Sequence, residues 1–170
     1  MRKFISIIIL ALCAVFAVTS CETLDPNKDF SGTIYGFWVI DKLEVDASIT
    51  VNGHTTSSIS TTDYSSGYAR LLLDTSGIAT VWYNLDWGLE GFGYDESMKR
   101  ITIKGNDLHA GSDAKAISFL GMYDVILDGD TMVLKQPEAS LGLAGYGVSE
   151  RATYYLHRAP KSEKPKETNK

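Results

Sequence analysis

Between Tyr35 and Arg158, apolar side chains return at every second residue in short runs, and no stretch keeps a helical period over three turns. A period of two turns one face of each run toward a core and the other toward water, so the segment has to fold as β-sheet. The run 35–45 changes apolar parity between Ile40 and Leu43, which a bulge near Asp41 reconciles. Asn52-Gly53 offers the positive-φ pair of a two-residue hairpin, and the Ser/Thr-rich run 55–66 reads as a loop or a weak edge strand. Residues 67–73 and 78–85 form a hairpin around Asp74-Thr75-Ser76-Gly77. Leu71 and Leu73 share a face of its first strand; Ala79, Val81, Tyr83 and Leu85 share a face of its second. A further pair, 92–95 and 100–104, surrounds Glu96-Ser97-Met98. In the run 117–127 the residues Ile117, Phe119, Gly121, Tyr123, Val125 and Leu127 line up, with a bend placed at Gly121. Asp128-Gly129-Asp130 turns into 131–135, and a glycine-rich connector over 142–147 leads to the closing strand 152–158. About eight antiparallel strands joined in order by short turns specify an all-β, up-and-down barrel, with a sandwich as the alternative.

The segment ahead of the strands has a different grammar. Arg2 and Lys3 are followed by an uncharged, mostly apolar stretch over 4–18, short for a bilayer-spanning helix, and then by Val18-Thr19-Ser20-Cys21. That tetrapeptide resembles the lipobox of bacterial lipoproteins, which implies cleavage before Cys21 and acylation of its thiol. Residues 1–20 are then a leader, 21–34 a lipidated tether, 35–158 the barrel domain and 159–170 a disordered, charged tail. Losing Cys13 with the leader leaves Cys21 alone, so no disulfide forms within one mature chain. Losing Arg2 and Lys3 moves the formal charge from −5 to −7. An acidic domain does not neutralise phosphates, which excludes nucleic acid as a partner. Attachment through more than one acyl chain is durable. Glu22, Asp25 and Asp29 resemble the acidic export signals of surface lipoproteins, so the expected location is the outer membrane, on the cell surface rather than in the periplasm.

Gly36-Phe37-Trp38 opens the first strand, and Tyr154-Tyr155-Leu156-His157-Arg158 ends the last. The pattern resembles the lipocalin-like lipoproteins of Gram-negative bacteria and, more distantly, the lipocalin superfamily. The resemblance spans 35–158 in architecture and only a few residues in motif. It implies an eight-stranded barrel plugged at one end by Trp38 of the Gly36-Phe37-Trp38 motif, with Arg158 packed across the indole. Parity agrees, since Trp38 shares a face with Ile40, and Arg158 with Tyr154 and Leu156. The resemblance also implies a non-catalytic protein that binds a small hydrophobic ligand. The alternative is a filled barrel acting as a protein- or glycan-interaction module at the envelope.

The chemistry of catalysis is missing from the sequence. It holds no Gly-x-Ser-x-Gly elbow, phosphate loop or His-Glu-x-x-His, and His54, His109 and His157 lack ligand spacing. Asp128 and Asp130 fall short of the roughly six oxygens that calcium requires. No enzyme activity, cofactor or metal is expected. Candidate contact residues are Trp82, Trp87 and Tyr94, near Asp86 and Glu90, where aromatics beside carboxylates can stack on a sugar ring. Leu143 and Tyr146, in the glycine-rich segment, are placed to fold over an apolar guest. Such aromatics also serve as β-formers in a core and its rim. Tyr83 already sits on the apolar face, whereas Trp82 lies on the opposite one and Trp87 in an expected loop.

Overall fold

The computed structural model describes residues 30–105, 107–143 and 146–160, except for the side chain of Leu143. The leader, Cys21, most of the tether and the tail from 161 onward lie outside the described residues. The strands are β1 (Gly36–Val51), β2 (His54–Asp63), β3 (Ala69–Leu73), β4 (Ile78–Tyr83), β5 (Asp86–Asp95) and β6 (Arg100–Ile103). They continue with β7 (Leu108–Ala110), β8 (Ile117–Phe119), β9 (Met122–Asp128), β10 (Thr131–Lys135), β11 (Ala139–Leu143) and β12 (Tyr146–Arg158). No helix occurs among the described residues.

Eight strands, in the order β1-β3-β4-β5-β6-β9-β10-β12, make an antiparallel meander that closes when β12 pairs back onto β1. This is an all-β, up-and-down barrel of lipocalin-like architecture, and closure leaves these eight without a free edge. Alternation decides which side chains enter it. Ala69, Leu71 and Leu73 of β3 are buried, as are Ala79, Val81 and Tyr83 of β4. The register of β1 against β12 slips between Ile40 and Lys42, so the bulge at Asp41 lets Ile40 and Leu43 both face inward.

One end of the barrel is closed where β1 begins and β12 finishes. Trp38 is fully buried there, and its indole N–H donates to the Ile34 carbonyl at 2.8 Å. Arg158 stands opposite Trp38 in the ladder, with its guanidinium 4.2 Å from the ring. The other end, the mouth, is covered by β7 and β8, a two-stranded excursion between β6 and β9. Its Leu108, Ala110, Ile117 and Phe119 are all buried. Phe119 lies 4.2 Å from the Tyr154 ring and 5.8 Å from that of Tyr123, and the Tyr154 hydroxyl donates to the Ser118 carbonyl at 2.7 Å.

Several sequence expectations are corrected. The Ser/Thr run is not a loop but the edge-strand alternative, since β2 pairs with β1 along its whole length and with no other strand. Leu85 does not continue the apolar face of β4. It occupies the two-residue turn after Asn84, whose φ of 55° ends the strand, and it is 99 % exposed. Trp87 belongs to β5 rather than to a loop, directly opposite Trp82. Gly121, with φ of 69°, does more than bend one strand: it separates β8 from β9 and sends β8 into the lid. The glycine-rich connector is the end of a hairpin, with Gly142 opposite Gly147.

Candidate functional site

Strands β1 and β12 run on past the mouth and pair with each other as far as Val51 and Tyr146. β2 flanks the extension of β1, and β11 flanks that of β12. The result is a single-layer arm, ordered β11-β12-β1-β2, projecting beyond the barrel.

The two faces of the arm differ in chemistry. Beyond the bulge, the β1 residues continuous with the barrel interior are Leu43, Val45, Ala47, Ile49 and Val51. Opposite them stand Tyr154, Ala152, Glu150, Val148 and Tyr146. Leu141, Val148, Ile49 and Thr56 therefore form one row across four strands, and Tyr146, Val51 and His54 form the next toward the tip. These side chains have nothing packed on them: Leu141 is 70 % exposed, Tyr146 61 %, Ile49 52 % and Val148 47 %. Glu150 is the one acidic or basic residue among the described inner-face positions apart from His54.

The outer face of the arm is mostly polar and internally paired, apart from Ile59, which stands opposite Asp46 and is 72 % exposed. The Lys42 ammonium bonds Glu44 at 2.8 Å, and the Tyr155 hydroxyl donates to the same carboxylate at 2.6 Å. These bonds, the one from Lys42 first, hold Glu44 below the usual carboxylate range. The bond to Glu44 likewise raises Lys42 and leads the rise at Tyr155. Arg151 reaches Asp46 at 3.2 Å, and Ser48 meets Ser149 at 2.8 Å.

The free edge of β2 follows from its turn. A two-residue turn at Asn52-Gly53 makes Val51 and His54 a hydrogen-bonded pair, and alternate residues repeat that state. Tyr64 N–H bonds the Asp41 carbonyl at 2.9 Å in the same phase. The backbone groups of Thr55, Ser57, Ile59 and Thr61 therefore point away from β1. The strand contains no lysine, arginine or proline to guard that edge.

The five contact candidates separate into three places. Trp82 and Trp87 face each other on the outer wall, with Phe37 6.3 Å from Trp82 and Trp87 55 % exposed. The nearby Asp86 is turned elsewhere, accepting from Gly111 N–H at 2.9 Å and from Trp87 N–H at 3.0 Å. Tyr94 is half-buried against the core and also borders an open outer-wall groove of about 410 Å³ lined by Asp95, Met98, Arg100, Thr102 and Met122. Burial raises its phenol. Leu143 and Tyr146 are opposite one another at the arm tip. Ile49, Val148 and Leu141 complete that face and were not singled out from sequence, although Tyr146, Val148 and Ala152 alternate openly.

The barrel interior is occupied by side chains, with Trp38 at the closed end and Tyr123 and Tyr154 beneath the lid, meeting Phe119 of β8 edge-on and tilted respectively. Gly36, with φ of 111°, leaves room for the Arg158 guanidinium, 3.1 Å from where a Cβ would stand. Arg158 then donates to the carbonyls of Tyr35 at 3.0 Å and Thr33 at 2.9 Å, and to Asp130 at 3.0 Å. Among the described residues no three His, Cys, Asp or Glu side chains gather as a metal site. No family model, curated protein or solved structure matches this chain.

Proposed function

We propose that this chain is a lipid-anchored lipoprotein on the outward face of a bacterial outer membrane, with no catalytic role, whose filled barrel carries the arm as a protein-interaction module. One observation carries the reading: the lumen is filled from plug to lid, while Leu141, Val148, Ile49 and Tyr146 leave an exposed apolar patch on the arm, flanked by the Ser/Thr column of β2. A single sheet reaches stability by burying its apolar face, and an exposed apolar patch marks an interaction surface. The lipobox-like Val18-Thr19-Ser20-Cys21 supports the anchor. A carrier of small hydrophobic ligands needs free lumen, and the clustered rings of Phe119, Tyr123 and Tyr154 take that space.

Photo-cross-linking in intact cells tests this. A photoreactive residue replacing Ile49 or Val148 is expected to yield protein adducts, and one replacing Thr153 on the outer face is expected to yield few. Equal yields from both faces would overturn the arm as the site. A small hydrophobic molecule co-purifying with the domain, and retained by Ile49→Lys, would return the function to the lumen.

A further inference from the structure

We propose that the free edge of β2 pairs, antiparallel, with the same edge of a second copy of this chain, on a two-fold axis at Ile59. The edge is distinct from the apolar patch of the arm, and its pairing stands or falls without that patch.

The edge is long and unguarded. β2 runs for ten residues, and every one but Thr62 is exposed. Thr55, Ser57, Ile59 and Thr61 turn their backbone N–H and C=O groups away from β1, and no other strand of the chain takes them. Edges are ordinarily blunted by lysine, proline or a bulge. β2 has no lysine or proline, and its register against β1 runs without a slip.

Hydrogen-bond phase restricts how two such edges meet. Antiparallel strands exchange bonds only between residues whose backbone groups point at each other, so an outward residue of one copy has to face an outward residue of the other. Centred on Ile59, the pairing sets Ile59 against Ile59 and Ser57 against Thr61 on the outer face. On the inner face it sets Ser58 against Ser60 and Thr56 against Thr62. The one apolar side chain of the strand, 72 % exposed, thereby gains an apolar neighbour. The remaining pairs are hydroxyl on hydroxyl, a favourable cross-strand match. Centred on Ser58 instead, the same edge would leave Ile59 against Ser57.

These features select a copy of the chain over a foreign strand. Peptides that add to an edge are chosen by pockets beside it. The arm is a single layer, and apart from His54 residues 54–62 carry no ionisable side chain, so matched register is what remains to choose a partner. Pairing β2 with β11 would run on as a filament, whereas the two-fold contact closes; β11 also offers only five residues. Edge-to-edge contact stays below the roughly 1,000 Å² of a stable complex, so the dimer is reversible and concentration-dependent.

The test uses the full-length chain, in its own membrane and in detergent extract. Opposed residues of a hydrogen-bonded pair stand about 5.5 Å apart between Cα atoms, within disulfide reach. Under mild oxidation Ile59→Cys is expected to give at least about fivefold more disulfide-linked dimer than Ser58→Cys, whose copy lies diagonally out of reach, or than the native chain with Cys21. Adding Ser57→Pro removes an N–H that points away from β1. It should weaken that dimer at least about tenfold, with the circular-dichroism spectrum unchanged. In the native chain the Ile59 and Thr61 amides should exchange more slowly as concentration rises from about 1 μM to 1 mM. No excess of Ile59→Cys dimer over both controls, or exchange independent of concentration, overturns the pairing. More dimer from Ser58→Cys than from Ile59→Cys overturns the axis at Ile59. Photoadducts at Ile49 report on the apolar patch and are untouched by Ser57→Pro, so the two readings fail separately.

Discussion

Trp38 shows how one side chain can be fully buried and still satisfied. Its indole N–H reaches the Ile34 carbonyl, and Arg158 lies across its face. The stacking contributes roughly 0.5–2 kcal/mol, and the ring volume contributes more. Trp38→Ala is expected to lower unfolding free energy by about 3–5 kcal/mol in urea titrations, whereas a loss well below 1 kcal/mol would show the site to be loosely packed. Both residues were legible because the resemblance singled them out and parity puts both on the inner face. Leu85 was not, since its turn has Asn84 rather than glycine at the left-handed position and nothing interrupts the apolar alternation. Phenols of the core set the alkaline limit. Burial pushes Tyr64 and Tyr123 up to about 12 from an ordinary 10.0, and raises Tyr154 further. Below pH 10 both folded and unfolded chains keep these phenols protonated, so their contribution is complete. Above it the unfolded chain ionises first, so stability should fall between about pH 10 and 12. Equilibrium unfolding across that range checks this, and a flat profile would contradict it.

At the level of elements, the lid and the arm are what the sequence concealed. β7 and β8 are three residues each, too short for alternation to stand out, and their partners are one another rather than their barrel neighbours. The lid fits because Gly88 of β5 has no side chain: a Cβ there would strike the His109 carbonyl. Gly88→Ala should therefore cost about 1–3 kcal/mol. Gly93→Ala in the same strand meets only the end of Lys104 at 3.6 Å, and should be neutral or slightly stabilising when thermal melts of the two variants are compared. β2 was hard to read because it buries almost nothing. Its ladder to β1 does most to hold it, beside a Thr50–Thr55 hydroxyl bond at 2.8 Å, and backbone pairing leaves no trace in Ser/Thr composition. In the unpaired monomer its amides should exchange in alternation, Thr56, Ser58, Ser60 and Thr62 slowly and Thr55, Ser57, Ile59 and Thr61 quickly. Uniform protection would mean that another strand has paired with the free edge.

For the molecule as a whole, each barrel strand pairs with the next barrel strand along the chain, with β2, the lid and β11 inserted between them, so closure into a barrel was readable from turn spacing. What the chain does with its two ends was not, because it depends on where β1 and β12 stop pairing with the barrel and continue with each other. The sixteen residues of β1 span about 50 Å, from the plug to the arm tip. The described chain both starts and finishes beside the plug, at the end opposite the arm. Cys21→Ala is expected to keep the melting profile of the native chain while moving from the membrane pellet to the soluble fraction. Fractionation by ultracentrifugation, with a thermal melt of the released material, checks both. Retention in the pellet removes Cys21 as the anchor.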